Sequence, residues 1–143
     1  VFMSYKKIVN MKNFFWLFLL TLPFASYSQT WIDDSNFEDS LTAKHAFGDD
    51  ETDIVVIEFW AKFNEVNAFA DWDKLDGVTY YRVDIAKAPN AKKEYRVRMA
   101  PTLIIFKDGV KEEVFKAGLD LLFPASLEDV QDAIEDIKQA NKF

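Results

Sequence analysis

The stretch VVIEFWAKFNEVNAF, residues 55–69, joins a continuous apolar run to a segment with a helical pattern. The apolar run covers residues 54–60, and Glu58 is its one charged residue. A run of this length without polar alternation is typical of a central strand covered on both faces. Asn64 can cap a helix that continues to about Leu75, since asparagine is a preferred N-cap residue. This stretch therefore predicts a buried strand that leads into a helix.

Another helix is predicted before this strand. Ser35 and Glu38 have the spacing of a capping box. Three residues spaced four apart indicate one face of that helix: Phe37, Leu41 and His45. The acidic run GDDETD, residues 48–53, then has the composition of a turn.

The next part of the chain alternates strand and helix and then forms a hairpin. Residues 78–85 (VTYYRVDI) are rich in β-branched and aromatic side chains, which favours a strand. Pro89 suits the first position of a short helix that ends at about Tyr95. Two strands within residues 99–118 flank the Asp-Gly pair at 108–109, which is a strong hairpin signal.

The last predicted helix covers residues 127–140. Ser126 and Asp129 form its capping box. Its buried stripe consists of four residues: Val130, Ala133, Ile134 and Ile137. The resulting order α-β-α-β-α-β-β-α implies an α/β fold, with a mostly parallel central sheet, helices on both faces and an antiparallel edge.

The N-terminal residues have the features of a secretory signal. A basic start precedes an apolar run at residues 14–22, and small residues follow it. A membrane helix needs about 20 apolar residues, and this run is too short. We therefore expect a signal peptide at residues 1–28, with Met11 as an alternative start, and a single domain at residues 29–143. This predicts an exported protein, periplasmic or secreted, without stable membrane insertion after cleavage before Gln29.

The predicted domain is strongly acidic. Residues 1–28 contain three lysines and no acid, so the other residues carry 14 basic and 24 acidic side chains, a net charge of −10. Phosphate groups and anionic lipids repel such a surface. We therefore expect no nucleic-acid partner.

The sequence resembles the thioredoxin family over residues 29–143. Four features carry the resemblance: VVIEFWA (55–61), VDIAKAPNAKKEYRVR (83–98), MAPTLIIFKDG (99–109) and Gly118. The resemblance implies a thioredoxin-like fold, in which helices cover both faces of a central mixed β-sheet.

The reactive residues of that family are absent. In thioredoxins, FWA is followed by two residues and then by Cys-x-x-Cys at a helix N-terminus, whereas this chain has no cysteine. The matching positions hold Asn64, Glu65, Val66 and Asn67. Thiol exchange requires a thiolate, and an asparagine amide does not titrate. The sequence therefore excludes dithiol–disulfide exchange by this chain alone, and we assign no catalytic residue.

Glu58 and Arg82 match a buried acid of the family and a lysine that lies near it. The resemblance allows two interpretations of Glu58. It could be a proton donor or acceptor with a raised pKa, or it could belong to a retained structural pair with Arg82. We favour the structural pair, because a proton shuttle has no thiol to serve here.

Pro101 matches the cis-proline of the family, where the preceding backbone pairs with an extended substrate. The resemblance implies a peptide-binding groove at Ala100, Pro101 and Thr102, and a loop that only maintains the fold is an equal alternative. Four more residues are candidates for the groove: Trp60, Phe63, Asn64 and Asn67. Residues 119–126 (LDLLFPAS) form another apolar stretch, which is either an exposed partner surface at 121–123 or packed under the last helix.

Motifs for metals and cofactors are not found in the sequence. His45 is the only histidine, and its spacing places it on a helix face. Without cysteine, a Cys/His metal cluster cannot form. No glycine-rich phosphate loop occurs. We therefore expect no metal site and no cofactor.

Two functions remain as expectations. The first is a binding protein without redox activity that holds an extended or partly unfolded polypeptide in the groove beside the proline loop. The alternative is a redox-related protein, concerned with cell redox homeostasis, that acts with a cysteine-bearing partner.

Overall fold

The computed structural model of the protein describes residues 29–42 and 54–140. The predicted signal peptide, His45 and the acidic turn at 48–53 lie outside the described residues. The elements in chain order are β1 (Trp31–Ile32), α1 (Phe37–Ser40), β2 (Ile54–Trp60), two 3₁₀ turns (Lys62–Asn67 and Trp72–Lys74), β3 (Thr79–Asp84), α2 (Pro89–Glu94), β4 (Thr102–Lys107), β5 (Val110–Lys116) and α3 (Leu127–Gln139).

The strands form one mixed sheet in the order β1-β3-β2-β4-β5. Strand β3 lies parallel to both β1 and β2, whereas β4 is antiparallel to β2 and β5 is antiparallel to β4. The predicted strand at 54–60 is confirmed, and six of its seven residues are buried. The predicted mixed sheet is confirmed as well. Strand β1 was not predicted, because two residues are too short to show a period-2 pattern.

The core lies in two layers, one on each face of the sheet. One layer packs α1 and α2 against the sheet through Phe37, Ala91 and Phe106, among others. The other packs α3 and the 3₁₀ turns against it through Phe69, Ile105 and Ile134. Alternate residues of β2 enter opposite layers, which explains why that strand shows no polar side apart from Glu58.

The hairpin and the last helix follow their predicted signals. Asp108 and Gly109 have φ of 51° and 81°, the left-handed pair that a two-residue hairpin turn requires. Helix α3 begins with the predicted capping box, in which the Asp129 N–H donates to Ser126 Oγ at 3.1 Å and the Ser126 N–H donates to Asp129 Oδ2 at 2.9 Å. Val130 and Ile134 are fully buried.

The predicted capping box before α1 is wrong. Asn36 is the N-cap of α1 and makes no side-chain capping bond. The Ser35 N–H donates to Asp33 Oδ1 at 2.8 Å, and the Ser35 hydroxyl also bonds to this carboxylate. An aspartate two residues earlier offers a local turn that competes with the capping geometry.

Helix α2 is held at its start by a carboxylate from another element. Pro89 occupies its first turn, as predicted. The N–H groups of Asn90 and Ala91 donate to the Asp34 carboxylate at 2.9 and 3.0 Å. A carboxylate satisfies free N–H groups at a helix start and complements the helix dipole. This contact ties α2 to the segment after β1.

Candidate functional site

The segment after β2 is not the predicted α-helix. Residues 62–74 form two 3₁₀ turns, and Asn64 inside the first has non-helical angles (φ −126°, ψ 28°). Ala68 is extended, with ψ of 155°. The predicted N-cap role of Asn64 is also wrong, since Ala61 precedes the first turn.

A buried charge pair explains why the α-helix does not form. The Phe69 N–H donates to Glu58 Oε1 at 2.8 Å, and the Phe69 carbonyl accepts from Arg82 Nη2 at 3.2 Å. In an α-helix both backbone groups would bond within the helix, four residues away on either side. The strands β2 and β3 supply these two side chains, so tertiary contacts capture the backbone of Phe69 and interrupt the helix.

The structure brings Glu58 and Arg82 together on neighbouring strands. Arg82 Nε lies 3.3 Å from Glu58 Oε2, and the two residues are 6% and 0% exposed. The Tyr80 hydroxyl donates to Glu58 Oε1 at 3.0 Å. Burial raises the pKa of Glu58, and Arg82, the Phe69 N–H and Tyr80 oppose that rise in part.

The geometry of this pair assigns it a structural role. Within the described chain, Arg82 Nη2 donates to Glu58 Oε1 at 3.4 Å, whereas the contact between Arg82 Nε and Glu58 Oε2 is an ion pair without hydrogen-bond geometry. Glu58 Oε1 also accepts from the Phe69 N–H and the Tyr80 hydroxyl. Through its bond to the Phe69 N–H, the buried Glu58 carboxylate holds the backbone of the segment after β2 in place.

Asn64 joins three separate segments of the chain. Its Nδ2 group donates to the Ala100 carbonyl at 2.9 Å and to the Leu121 carbonyl at 2.8 Å. Its Oδ1 atom accepts from Asn67 Nδ2 at 2.7 Å. All but one of the hydrogen bonds that the Asn64 amide can form are therefore made. We call this set of contacts the Asn64 bridge.

The carbonyl groups of Met99, Ala100 and Pro101 in the proline loop all accept hydrogen bonds from this chain. The peptide bond between Ala100 and Pro101 is cis. The Met99 carbonyl accepts from Thr102 Oγ1 at 2.6 Å, and the Pro101 carbonyl accepts from the Ala117 N–H at 3.1 Å. The Ala100 carbonyl belongs to the Asn64 bridge. Ala100, Pro101 and Thr102 are buried, so a ligand would meet this loop at its edges.

Exposed apolar side chains lie on the two segments that the Asn64 bridge joins. Phe63 and Val66, on the first 3₁₀ turn, are 74% and 88% exposed. Leu119 and Leu122, on the loop that Asn64 holds through Leu121, are 93% and 52% exposed. We call these four side chains the apolar patch. Large apolar side chains grouped on a surface mark contact sites.

The neighbouring aromatic residues are packed. Trp60 is half-buried and meets Trp31 edge-to-face, with ring centroids 5.0 Å apart. Phe123 is partly buried and stacks on Phe69 at 4.9 Å. In the stretch 119–126, Leu119 and Leu122 are therefore exposed, whereas Phe123 packs against the core.

The described residues contain no group of three or more acidic or histidine side chains placed to hold a metal ion. None of the described helices has the length and apolar character to cross a membrane.

The fold and site define the class of protein. A five-stranded mixed sheet with helices on both faces and a cis-proline loop opposite the β2 junction is a thioredoxin-like domain. The thioredoxin family model matches residues 29–122, and the chain belongs to this family. It is a member without cysteine.

The chain is similar to known thioredoxins in sequence and in structure. Thioredoxin-2 of Pyricularia oryzae is 42% identical over 51 residues, which make up 34% of this chain and 30% of that protein. A mutant thioredoxin of Halobacterium salinarum has a TM-score of 0.55 at 16% identity, covering 79% of this chain and 96% of its own. A mutant thioredoxin of Entamoeba histolytica has a TM-score of 0.51 at 18% identity, covering 76% and 99%. These structural similarities concern the fold.

Sequence reasoning missed the Asn64 bridge. Its two carbonyl partners lie 36 and 57 residues away from Asn64, and no local pattern signals such contacts. The sequence pointed to Asn64 as a helix cap and a groove residue, whereas its side chain is buried, at 7% exposed.

Proposed function

We propose that this protein is exported and binds an extended or partly unfolded polypeptide at the apolar patch beside the proline loop. It acts without redox chemistry, because the chain has no thiol. The observation that carries the proposal is the high exposure of Phe63, Val66, Leu119 and Leu122 on the two segments that the Asn64–Leu121 hydrogen bond holds together.

The chemistry of the patch supports a polypeptide ligand. The four side chains are aliphatic or aromatic and stand on two loops, so they offer contact area without a deep cavity. An extended segment can lay alternate side chains on such a surface. The Ala100 carbonyl already accepts a hydrogen bond from Asn64, so affinity in this proposal comes mainly from side-chain burial.

Export is proposed on the sequence of residues 1–28. The basic start, the short apolar run and the small residues that follow have the order of a secretory signal. N-terminal sequencing of the protein recovered from a producing cell tests this. A mature N-terminus at Gln29 supports export, and an intact leader on a protein retained inside the cell contradicts it.

The binding proposal is tested with the full-length protein and a labelled, permanently unfolded polypeptide. Fluorescence anisotropy measures the affinity of the wild type and of Phe63→Ser and Val66→Ser. Truncation of a contact residue costs about 1–2 kcal/mol, so we expect roughly 5- to 30-fold weaker binding. Both side chains are mostly exposed, so the unfolding midpoint should stay nearly unchanged.

Val110→Ser is the matched control. Val110 is 61% exposed and lies at the start of β5 beside the hairpin turn, outside the patch. It should bind the polypeptide as the wild type does. If Phe63→Ser and Val66→Ser bind the polypeptide as tightly as Val110→Ser and the wild type, the patch is not the binding site.

The redox-related alternative has a direct test as well. Reduction of insulin disulfides by dithiothreitol should proceed at the same rate with and without the protein. A faster rate, with contaminating oxidoreductases excluded, would support that alternative.

A further inference from the structure

A basic depression lies at the edge of the proline loop in an otherwise acidic protein. It has a volume of about 240 Å³, and its lining is Arg96, Arg98, Met99, Thr102, Lys116 and Ala117. Three of these six residues are cationic and none is acidic. The whole chain, by contrast, carries a net charge of −7. We call Arg96, Arg98 and Lys116 the cationic cluster.

Arg96, Arg98 and Lys116 form no ion pair within residues 29–42 and 54–140. The ion pairs in these ranges use other lysines and arginines, namely Lys62, Lys74, Arg82 and Lys138. All three side chains of the cluster are exposed. Three like charges around one depression repel one another and raise the local attraction for an anionic group.

The backbone of Arg96 is an outlier at this place. Arg96 follows α2 with φ of 53°. The Val97 N–H donates to the Lys92 carbonyl at 2.9 Å, and the Arg96 N–H donates to the Lys93 carbonyl at 3.2 Å. This is the Schellman end of a helix, where glycine is the usual residue at the position of Arg96. An arginine held in a conformation that favours glycine suggests that its side chain has a use.

The depression and the apolar patch border the same loop. Met99 and Thr102, in the lining of the depression, flank Ala100 and Pro101. The Asn64 bridge reaches the same loop at Ala100. Both surfaces therefore lie next to the Ala100–Pro101 peptide.

We infer that the polypeptide bound by this protein carries acidic side chains, and that the cationic cluster receives them while the apolar patch receives their hydrophobic neighbours. The inference rests on the proposed function. Guanidinium groups pair well with carboxylates in two-bond geometry, and Arg96 and Arg98 supply two such groups one residue apart. Selection for acidic segments would give a use to a basic cluster that forms no ion pair with the described residues of this acidic protein.

The test compares two synthetic extended peptides of one sequence, one with glutamates beside apolar residues and one with glutamines in their place. The full-length protein should bind the glutamate peptide roughly fivefold more tightly at low salt. High salt should remove this preference, because the charges of the cluster are exposed and therefore screened. Anisotropy measures both affinities.

Three variants locate the effect. Arg98→Gln and Lys116→Gln should each weaken binding of the glutamate peptide and leave binding of the glutamine peptide unchanged. Lys111→Gln is the control, since Lys111 lies on the same strand as Lys116, is exposed, and is outside the depression. Arg96→Gly removes a charge while giving the helix end its preferred residue, so it should raise the unfolding midpoint and still weaken glutamate binding. A purely structural role of Arg96 would not move the binding.

The outcomes separate this inference from the proposed function. Equal affinity for both peptides, with loss of binding in Phe63→Ser, would overturn the inference and leave the proposed function standing. Binding of the glutamate peptide that depends on Lys116 and not on Phe63 would support the cluster and overturn the patch. Equal weakening by Lys111→Gln and Lys116→Gln would show a general charge effect and overturn the inference. Binding of neither peptide would overturn both.

Discussion

The hairpin β4–β5 and the segment between β2 and β3 illustrate two ways in which this chain acquires structure. The hairpin turn uses Asp108 and Gly109, two residue types that tolerate the left-handed angles this turn requires. The segment 62–74 has a helical pattern in its sequence but forms two short 3₁₀ turns. Its backbone at Phe69 is bonded to Glu58 and Arg82, which come from two strands of the sheet. Local chemistry decides the first region, and long-range polar contacts decide the second.

The junction after β2 is built without cysteine in this thioredoxin-family domain. Asn64, which the sequence resemblance matches to the family's first cysteine, joins Ala100 to Leu121. Its amide stabilises this junction through hydrogen bonds to both carbonyls. The exposed apolar side chains stand on the two loops that this amide connects.

The largest effect is expected for Arg82→Met, which tests the long-range side of the comparison. The variant leaves the Glu58 carboxylate buried without its cation, and such a change costs about 3–5 kcal/mol of stability. Chemical denaturation measures the loss. The double variant Glu58→Met with Arg82→Met should lose less, because no buried charge remains. A single variant as stable as the wild type would show that the pair does not determine this region.

A smaller effect is expected for Asn64→Ala. Removal of the amide leaves the carbonyls of Ala100 and Leu121 without a donor, at a cost of about 1–3 kcal/mol. Hydrogen exchange should show faster exchange in the loop 119–123, which loses its contact to the 3₁₀ turn. Asn67→Ala is the comparison variant: Asn67 Nδ2 donates to Asn64 Oδ1, so this change leaves both carbonyls bonded to Asn64 and should cost less. Unchanged exchange in the loop would contradict the bridging role.

The smallest effect is expected for Ser126→Ala, which tests the local side. The variant removes the oxygen that accepts from the Asp129 N–H at the start of α3. Loss of an N-cap of this kind costs about 1 kcal/mol. Replacement of the exposed Glu128 by Gln, one residue inside the same helix, should change stability less. If Ser126→Ala lowered the free energy of unfolding as much as Arg82→Met does, local and long-range contacts would contribute equally, and the comparison would fail.

The candidate site was predictable only in part. The family resemblance supplied the neighbourhood of the site, namely the strand end at Trp60, the four positions from Asn64 and the loop at Pro101. The role of Asn64 was not predictable, because a buried amide depends on partners that lie far along the chain. The cationic cluster left only a faint signal, an Arg-x-Arg pair at 96–98 in an acidic chain, and Lys116 joins it through the pairing of β5 with β4.

The sequence by itself determined the elements whose cause is local. These are the apolar strand at 54–60, the Asp-Gly hairpin, the proline-initiated helix α2 and the capping box of α3, and their order implied the mixed α/β sheet. The absence of cysteine also determined that the chain has no thiol chemistry. Only the tertiary structure decided that the helix after β2 is interrupted, that Asn64 is a buried bridge, and that apolar and cationic side chains border one loop. The physical reason is that a buried polar group must find a partner, and in this chain the partners are supplied by residues distant in sequence.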